Sequence, residues 1–241
     1  MTLQDYRSQI SFRFIRPGTR LPRGYGEFAK MLRRLGLPFD VLNTRLPASP
    51  PHIPGAVREL SRMPRMSTVA ISALINWAVA HMADDEMFVN VGVWHGFTFL
   101  SGVVSNPNKT AAGVDNFSKF GGPRQAFLER FNRYRSPRHS FHEMDYQEYF
   151  RQVHRGRIGF YIYDGDHSYE HQWRGLALAE PFFSPNCLVM IDDTNTREAR
   201  QATLDFIAAS RNRYRVLLDE PTTRNCHPTF WDGIMMLQKV G

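Results

Sequence analysis

Several familiar features are missing from this chain. Only two cysteines, Cys187 and Cys226, occur in 241 residues, which excludes a disulfide framework and a metal site built on cysteine alone and points to a reducing compartment. No apolar run approaches the roughly 20 residues needed to span a bilayer. The opening stretch MTLQDYRSQISFRF lacks the apolar core of a secretion signal. The expectation is therefore a soluble, cytoplasmic protein with no membrane partner. The GxGxxG fingerprint of dinucleotide-binding turns is also absent, which counts against a nicotinamide-dependent oxidoreductase. Long blocks of one charge are missing as well. The net charge is +7, but the basic residues are spread out, with only small clusters such as KMLRRLG and RNRYR. A solvated basic surface is expected, and nucleic acid is not the expected partner. The rival reading, an RNA methyltransferase or a nucleic-acid-binding module using a basic arm, would show itself in a steep salt dependence of RNA binding.

Residues 1–66 also lack regular periodicity. Prolines stand at 17, 22, 38, 47, 50, 51, 54 and 64, and the spacing predicts one helix, over about 24–36, with Phe28, Met31, Leu32 and Leu35 on one face and Gly36 as its cap. This segment is expected to be an irregular arm or lid that wraps the core, covers a site or contacts a second subunit in a homo-oligomer. Residues 67–241 are expected to form the main domain.

From Ser67 onward the pattern is regular. Helical stretches (STVAISALINWAVAHMA, FTFLSGVVS, GGPRQAFLERFNRY, YQEYFRQVHR, EHQWRGLALAEPFF and TREARQATLDFIAAS) separate short apolar strands (MFVNVG, TAAGVD, HSFHEMD, IGFYIYD and CLVMIDD), and strands near YRVLLDE and FWDGIMMLQKV close the chain. Strand and helix alternate five times, which predicts an α/β fold with a parallel sheet and helices on both faces. Right-handed crossovers then bring the strand C-termini to one rim, where ligands bind in open α/β sheets. The predicted strand ends are Gly92, Asp115, Asp145, Asp164 and the pair Asp192 and Asp193.

Each rim position has a functional and a structural reading. Gly92 and Gly96 permit close backbone approach to a ligand at a helix start that offers amide donors, or simply a tight turn. Asp115, 23 residues after Gly92, sits where an acid accepts ribose hydroxyls in nucleotide-binding α/β folds, or caps a turn. Asp145 is a strand-tip ligand or a helix N-cap. Asp164, Asp192 and Asp193, with Asp166 and His167 beside them, repel one another unless a cation is present. Oxygen donors without cysteine favour Mg²⁺, Mn²⁺ or Ca²⁺, and the alternative is a set of turn residues and caps. His95, His171 and His227 read as surface or supporting groups, and Trp173 as packing.

Together FVNVGVWHGFT, VDNF, YDGDHSYEHQWRGLALAEPFFSPNCLVMIDD and FWDGIMML resemble class I S-adenosylmethionine-dependent methyltransferases. The resemblance is to the macrocin-type branch that methylates macrolide and aminocoumarin sugars, to which cephalosporin hydroxylase-like proteins are related. It covers about residues 67–240, and its most specific part is DGDHSY followed by an Asp-Asp pair 28 residues after the first Asp. It implies a Rossmann-like, seven-stranded, mostly parallel sheet with the last strand antiparallel. It implies that the turn from Gly92 to Thr98, including Val93 and Gly96, holds the methionine part of the cofactor, Asp115 the ribose and the Asp145 region the adenine. Residues matching Asp164, Asp192 and Asp193 bind a divalent metal, Mg²⁺ first among candidates, and Asp166 is the implied general base. Two positions depart from the pattern: Asn90 stands where an acid is common, and Phe99 replaces a small hydroxyl residue.

The implied reaction poses a physical problem, because a hydroxyl attacks a sulfonium methyl only as it loses its proton. A divalent ion lowers the hydroxyl pKa and orients it, and a nearby base takes the proton. Asp166 is the first candidate for that base, and His167, whose type titrates near pH 6.5, is the second. The expected acceptor is a small hydroxyl-bearing molecule such as a sugar or a glycosylated natural product.

Overall fold

The computed structural model of the chain describes residues 1–240. Its elements are α1 (Leu3–Gln9), β1 (Ser11–Phe12), α2 (Tyr25–Arg34), α3 (Phe39–Asn43), β2 (Thr44–Arg45), α4 (His52–Leu60), α5 (Val69–Ala80), β3 (Glu86–Val91), α6 (Phe97–Val103), β4 (Thr110–Asp115), α7 (Arg124–Tyr134), β5 (His139–Glu143), α8 (Tyr146–Glu148), β6 (Arg157–Tyr163), α9 (Tyr169–Ala179), β7 (Phe183–Ile191), α10 (Arg197–Ala209), β8 (Arg213–Glu220) and β9 (Ile234–Val240). The main sheet has seven strands in the order β5-β4-β3-β6-β7-β9-β8. The first five run parallel, and β9 is antiparallel to both its neighbours. This is the Rossmann-like, seven-stranded, mostly parallel sheet that the resemblance implied.

Alternating strand residues feed two cores. In β6, Phe160 and Ile162 join the cluster containing α5, α6 and α7, while Tyr161 and Tyr163 join the cluster containing α9 and part of α10. Each of these side chains is fully buried, a change worth about 1.5–3 kcal/mol apiece relative to exposure. α5 is buried along almost its whole length because the N-terminal helices cover the side turned away from the sheet.

That covering differs from the irregular arm expected there. α1 and α4 pack Leu3, Tyr6, Ile53, Val57 and Leu60 into the same cluster as α5, and Tyr6 stacks on Trp77 at 5.9 Å. Arg7 pairs with Glu220 of β8 at 2.6 Å. Asp40 reaches back to pair with buried Arg65 and to accept the first amide of α5, Val69 N–H, at 3.0 Å. Proline placement hid α4: Pro54 lies in its first turn, where a missing amide is tolerated. α2 forms where its spacing predicts, but Phe28, Met31 and Leu35 face solvent. Trp173 is 39% exposed and is not the packing residue its spacing suggested. Among the described residues, no helix is long and apolar enough to cross a membrane.

Candidate active site

Register sets the rim. Val91 pairs with Tyr163 and Tyr163 with Ile191, so the next residues, Gly92, Asp164 and Asp192, fall in one row across three strand tips. The row is tight at its first member. A Cβ on Gly92, whose φ is +80°, would lie 1.8 Å from the Asp164 carbonyl oxygen, so only glycine fits.

The turn from β3 to α6 is shaped by Asp115. Its Oδ2 accepts Val93 N–H and Trp94 N–H, both at 2.8 Å, and its Oδ1 accepts Phe117 N–H at 2.7 Å. The amides of Val93 and Trp94, in the turn before α6, are therefore taken. A carboxylate has about four acceptor positions. Three are filled from the backbone, leaving Asp115 one for a ribose hydroxyl. Gly96, at φ +96°, turns the chain into α6. Asn90 is buried, its amide nitrogen donates to the Val91 and Gly92 carbonyls, and its Oδ1 has no partner. Thr98 Oγ1 stands 3.5 Å from Asp164 Oδ2, linking this turn to the acidic row.

Asp145 takes its structural role. It lies two residues beyond β5, and its carboxylate caps α8 by accepting Gln147 N–H at 2.8 Å. Strand β5 ends earlier than the sequence suggested because the Met144–Asp145 step already turns toward α8.

The ends of β6 and β7 form the acidic cluster. Asp164, His167 and Asp192 offer ligand atoms that all lie within 4.8 Å of one another. His167 replaces Asp193 in that closest group. Asp193, held at φ +51°, turns its Oδ2 to 3.6 Å from His167 Nε2, and Asp164 Oδ1 stands at 3.8 Å from the same atom. These separations are too long for hydrogen bonds. They leave His167 Nε2 beside both carboxylates without a direct bond to either. Asp192 Oδ1 and Asp193 Oδ1 are buried without partners. Burial, with Asp164 and Asp193 alongside, pushes the Asp192 carboxyl well above the usual carboxylate range. Burial also raises Asp193, against the opposing pull of His167. Three carboxylates face one imidazole, and a buried acidic cluster short of positive charge either takes up a proton or awaits a cation, so the donor set fits a divalent ion.

Asp166 and His167 diverge. Lys119 Nζ pairs with Asp166 Oδ2 at 2.5 Å and Ser168 N–H donates to Oδ1, and together they hold Asp166 below the carboxylate range. A carboxylate so stabilised is a poor proton acceptor. Burial alone would depress the His167 imidazole, but Asp164 and Asp193 outweigh it and raise its pKa. Its Nδ1 faces Gln172 Oε1 at 3.4 Å. The sequence did not single out Gln172. It sits on α9 five residues after His167, and nothing in the local pattern separates it from a surface glutamine, yet it is fully buried. Asn195 and Asp232, also missed, tie the turn after β7 to the segment before β9 at 3.1 Å. His95, His171 and His227 are bonded to Arg130, Tyr146 and Thr229 respectively.

Residues 89–194, from mid-β3 to the turn after β7, match a family described as a methyltransferase domain. No curated protein matches the sequence. Among solved structures, a Corynebacterium glutamicum protein is 13% identical with a TM-score of 0.58, covering 91% of this chain and 98% of its own. The Bacillus cereus O-methyltransferase in complex with SAH is 12% identical with a TM-score of 0.53, over 88% of this chain and 97% of that one. TomG of Streptomyces achromogenes, an O-methyltransferase of tomaymycin synthesis in complex with SAM, is 11% identical with a TM-score of 0.51, over 92% of both chains. At these identities the likeness is one of fold. Residues 89–194 thus resemble a methyltransferase domain, set in a fold shared with O-methyltransferases along nearly the whole chain.

Proposed function

We propose that this enzyme is an S-adenosylmethionine-dependent, divalent-cation-assisted O-methyltransferase acting on a hydroxyl of a small molecule, with a sugar or glycosylated compound as the acceptor class that the sequence resemblance implies. One observation carries the reading. Asp164, Asp192 and His167 converge with unpartnered buried oxygens directly beside the Gly92 turn.

Bound S-adenosylmethionine supplies a sulfonium methyl, and a divalent cation, Mg²⁺ or Mn²⁺, lowers the pKa of a nearby hydroxyl. The cofactor would lie against Gly92, Val93, Gly96 and Thr98, with the vacant Asn90 Oδ1 as an acceptor and the remaining lone pair of Asp115 Oδ1 facing a ribose hydroxyl. Asp145 contributes by fixing the start of α8 rather than by direct contact. Asp164, Asp192 and Asp193 would hold the cation. His167 takes the acceptor's proton at Nε2. Gln172 orients the ring through Nδ1, and the adjacent carboxylates stabilise the imidazolium that results. Asp166, neutralised by Lys119, supports the turn instead.

Calorimetric titration of S-adenosylhomocysteine tests the reading. Saturable binding with one site per chain is expected, and no heat at millimolar ligand would overturn it.

A further inference from the structure

A cavity of about 210 Å³ lies between α2, the segment 67–68 and the loop preceding β9, lined by Tyr25, Arg33, Phe39, Ser67, Cys226 and Trp231 among others. Its volume is below that of a site for a whole drug-sized ligand, but it has room for one ring and a short substituent. The walls are chiefly aromatic and apolar. Tyr25 and Phe39 meet edge to face at 5.8 Å, and α2 turns Tyr25 and Ala29 inward with Arg33 exposed at the edge of the cavity.

The polar groups in this lining divide sharply. Asp40 is committed to Arg65 and to Val69 N–H, Lys30 pairs with Glu27, and both ring nitrogens of His227 are bonded, to Thr229 and Thr19. Four groups remain without a hydrogen-bond partner among the described residues: the Arg33 guanidinium, the Tyr25 hydroxyl, Trp231 Nε1 and the hydroxyl of Ser67, a residue only 3% exposed. All four can donate, and one is a permanent cation. The one carboxylate in the lining, Asp40, lies near Arg33 but is paired with Arg65, so Arg33, exposed at the edge of the cavity, has no ion pair of its own, and a ligand that completes the cavity brings a second negative charge.

The loop that walls the cavity packs directly on the turn beside the acidic rim. Trp231 leads directly into Asp232 and Gly233, and Gly233 O accepts Thr194 N–H at 3.2 Å while Asp232 O accepts Asn195 N–H at 2.9 Å. Thr194 and Asn195 follow Asp192 and Asp193 in the chain. A Cβ on Gly233 would stand 2.7 Å from Asn195 Oδ1, so the two segments are pressed together with no room between them.

We infer that this cavity holds the non-reacting part of the methyl acceptor, an aromatic ring bearing a carboxylate or similarly compact anion that pairs with Arg33. The assignment to the acceptor rests on the methyltransferase reading of the rim. The ligand class rests on the cavity alone.

The two thiols make this testable, because Cys226 is exposed at the cavity and Cys187 is buried. trans-Cinnamate is the anionic probe and cinnamyl alcohol its neutral counterpart, and the readout is the rate at which a thiol reagent modifies Cys226 in the full-length protein. Cinnamate is expected to slow modification at least about fivefold, with the alcohol much weaker. Arg33→Gln should weaken the cinnamate effect about tenfold or more, the scale of a charge-assisted hydrogen bond, while its S-adenosylhomocysteine titration stays unchanged. Absence of protection, or equal protection by cinnamyl alcohol or in Arg33→Gln, would overturn the ligand class. Protection by cinnamate in a protein that binds no S-adenosylhomocysteine would overturn the acceptor assignment and the methyltransferase reading together.

Discussion

Asp115 at the tip of β4 and Asp192 at the tip of β7 are both acids on the same rim, and they are built oppositely. Asp115 receives three backbone amides and organises the turn beside it. Asp192 is 4% exposed, has an oxygen with no partner, and faces two more carboxylates. The first is a finished structural element that leaves one position for a ligand. The second is an unfinished one whose carboxylates are stable together only with added positive charge. A strand-tip aspartate is therefore informative about function in proportion to what the protein leaves unsatisfied around it.

Gly92 is where the two regions touch, so its change should have the largest effect. Gly92→Ala drives a Cβ into the Asp164 carbonyl and is expected to cost 4 kcal/mol or more, on the order of the most damaging single substitutions. It should appear as insoluble protein or a melting transition lowered by well over ten degrees, and a melt within a few degrees of wild type would remove the steric argument. Next, the roles of the neighbours at the β6 tip should separate. His167→Gln should lower methyl transfer by about 10²–10⁴-fold, the usual contribution of a positioned base, while Asp166→Asn should retain activity within about tenfold. The reverse ranking would restore Asp166 as the base.

Asp115→Ala removes the acceptor for three amides and is expected to destabilise the fold by about 3 kcal/mol, at roughly 1 kcal/mol or more per bond, read by thermal or urea unfolding. Asp192→Asn is the smallest of the series and opposite in sign. In the presence of a chelator it should melt at or slightly above the wild-type temperature, by up to about 1 kcal/mol, because it removes one of the mutually repelling buried carboxylates. Clear destabilisation by Asp192→Asn would mean that the cluster is satisfied without a cation.

Much of this was legible in the sequence. The alternation of strands and helices gave the sheet, and strand-end positions put Gly92, Asp164 and Asp192 on one rim, because parallel strands with right-handed crossovers admit few other arrangements. The remainder depended on contacts between distant segments. Lys119 neutralises Asp166 across 47 residues, and Gln172 buries its amide behind His167. Neither follows from local spacing. Asp145 was open to two readings, strand-tip ligand and helix N-cap, because strand ends drift by a residue or two, and the bond it makes is the cap. Proline density masked α4, and α1 spans only seven residues, too few for its period to stand out; the apolar stripes of both acquire meaning only against α5. The exposed face of α2 and the cavity behind its other stripe are tertiary facts as well, since periodicity identifies a helix and not what lies against it.

The account stands or falls on the unsatisfied acids. Calorimetric titration of Mg²⁺ or Mn²⁺ into the protein saturated with S-adenosylhomocysteine measures this directly. One cation per chain is predicted for the wild type, with no binding in Asp192→Asn. No heat from either ion at millimolar concentration, or equal binding by wild type and Asp192→Asn, would contradict it.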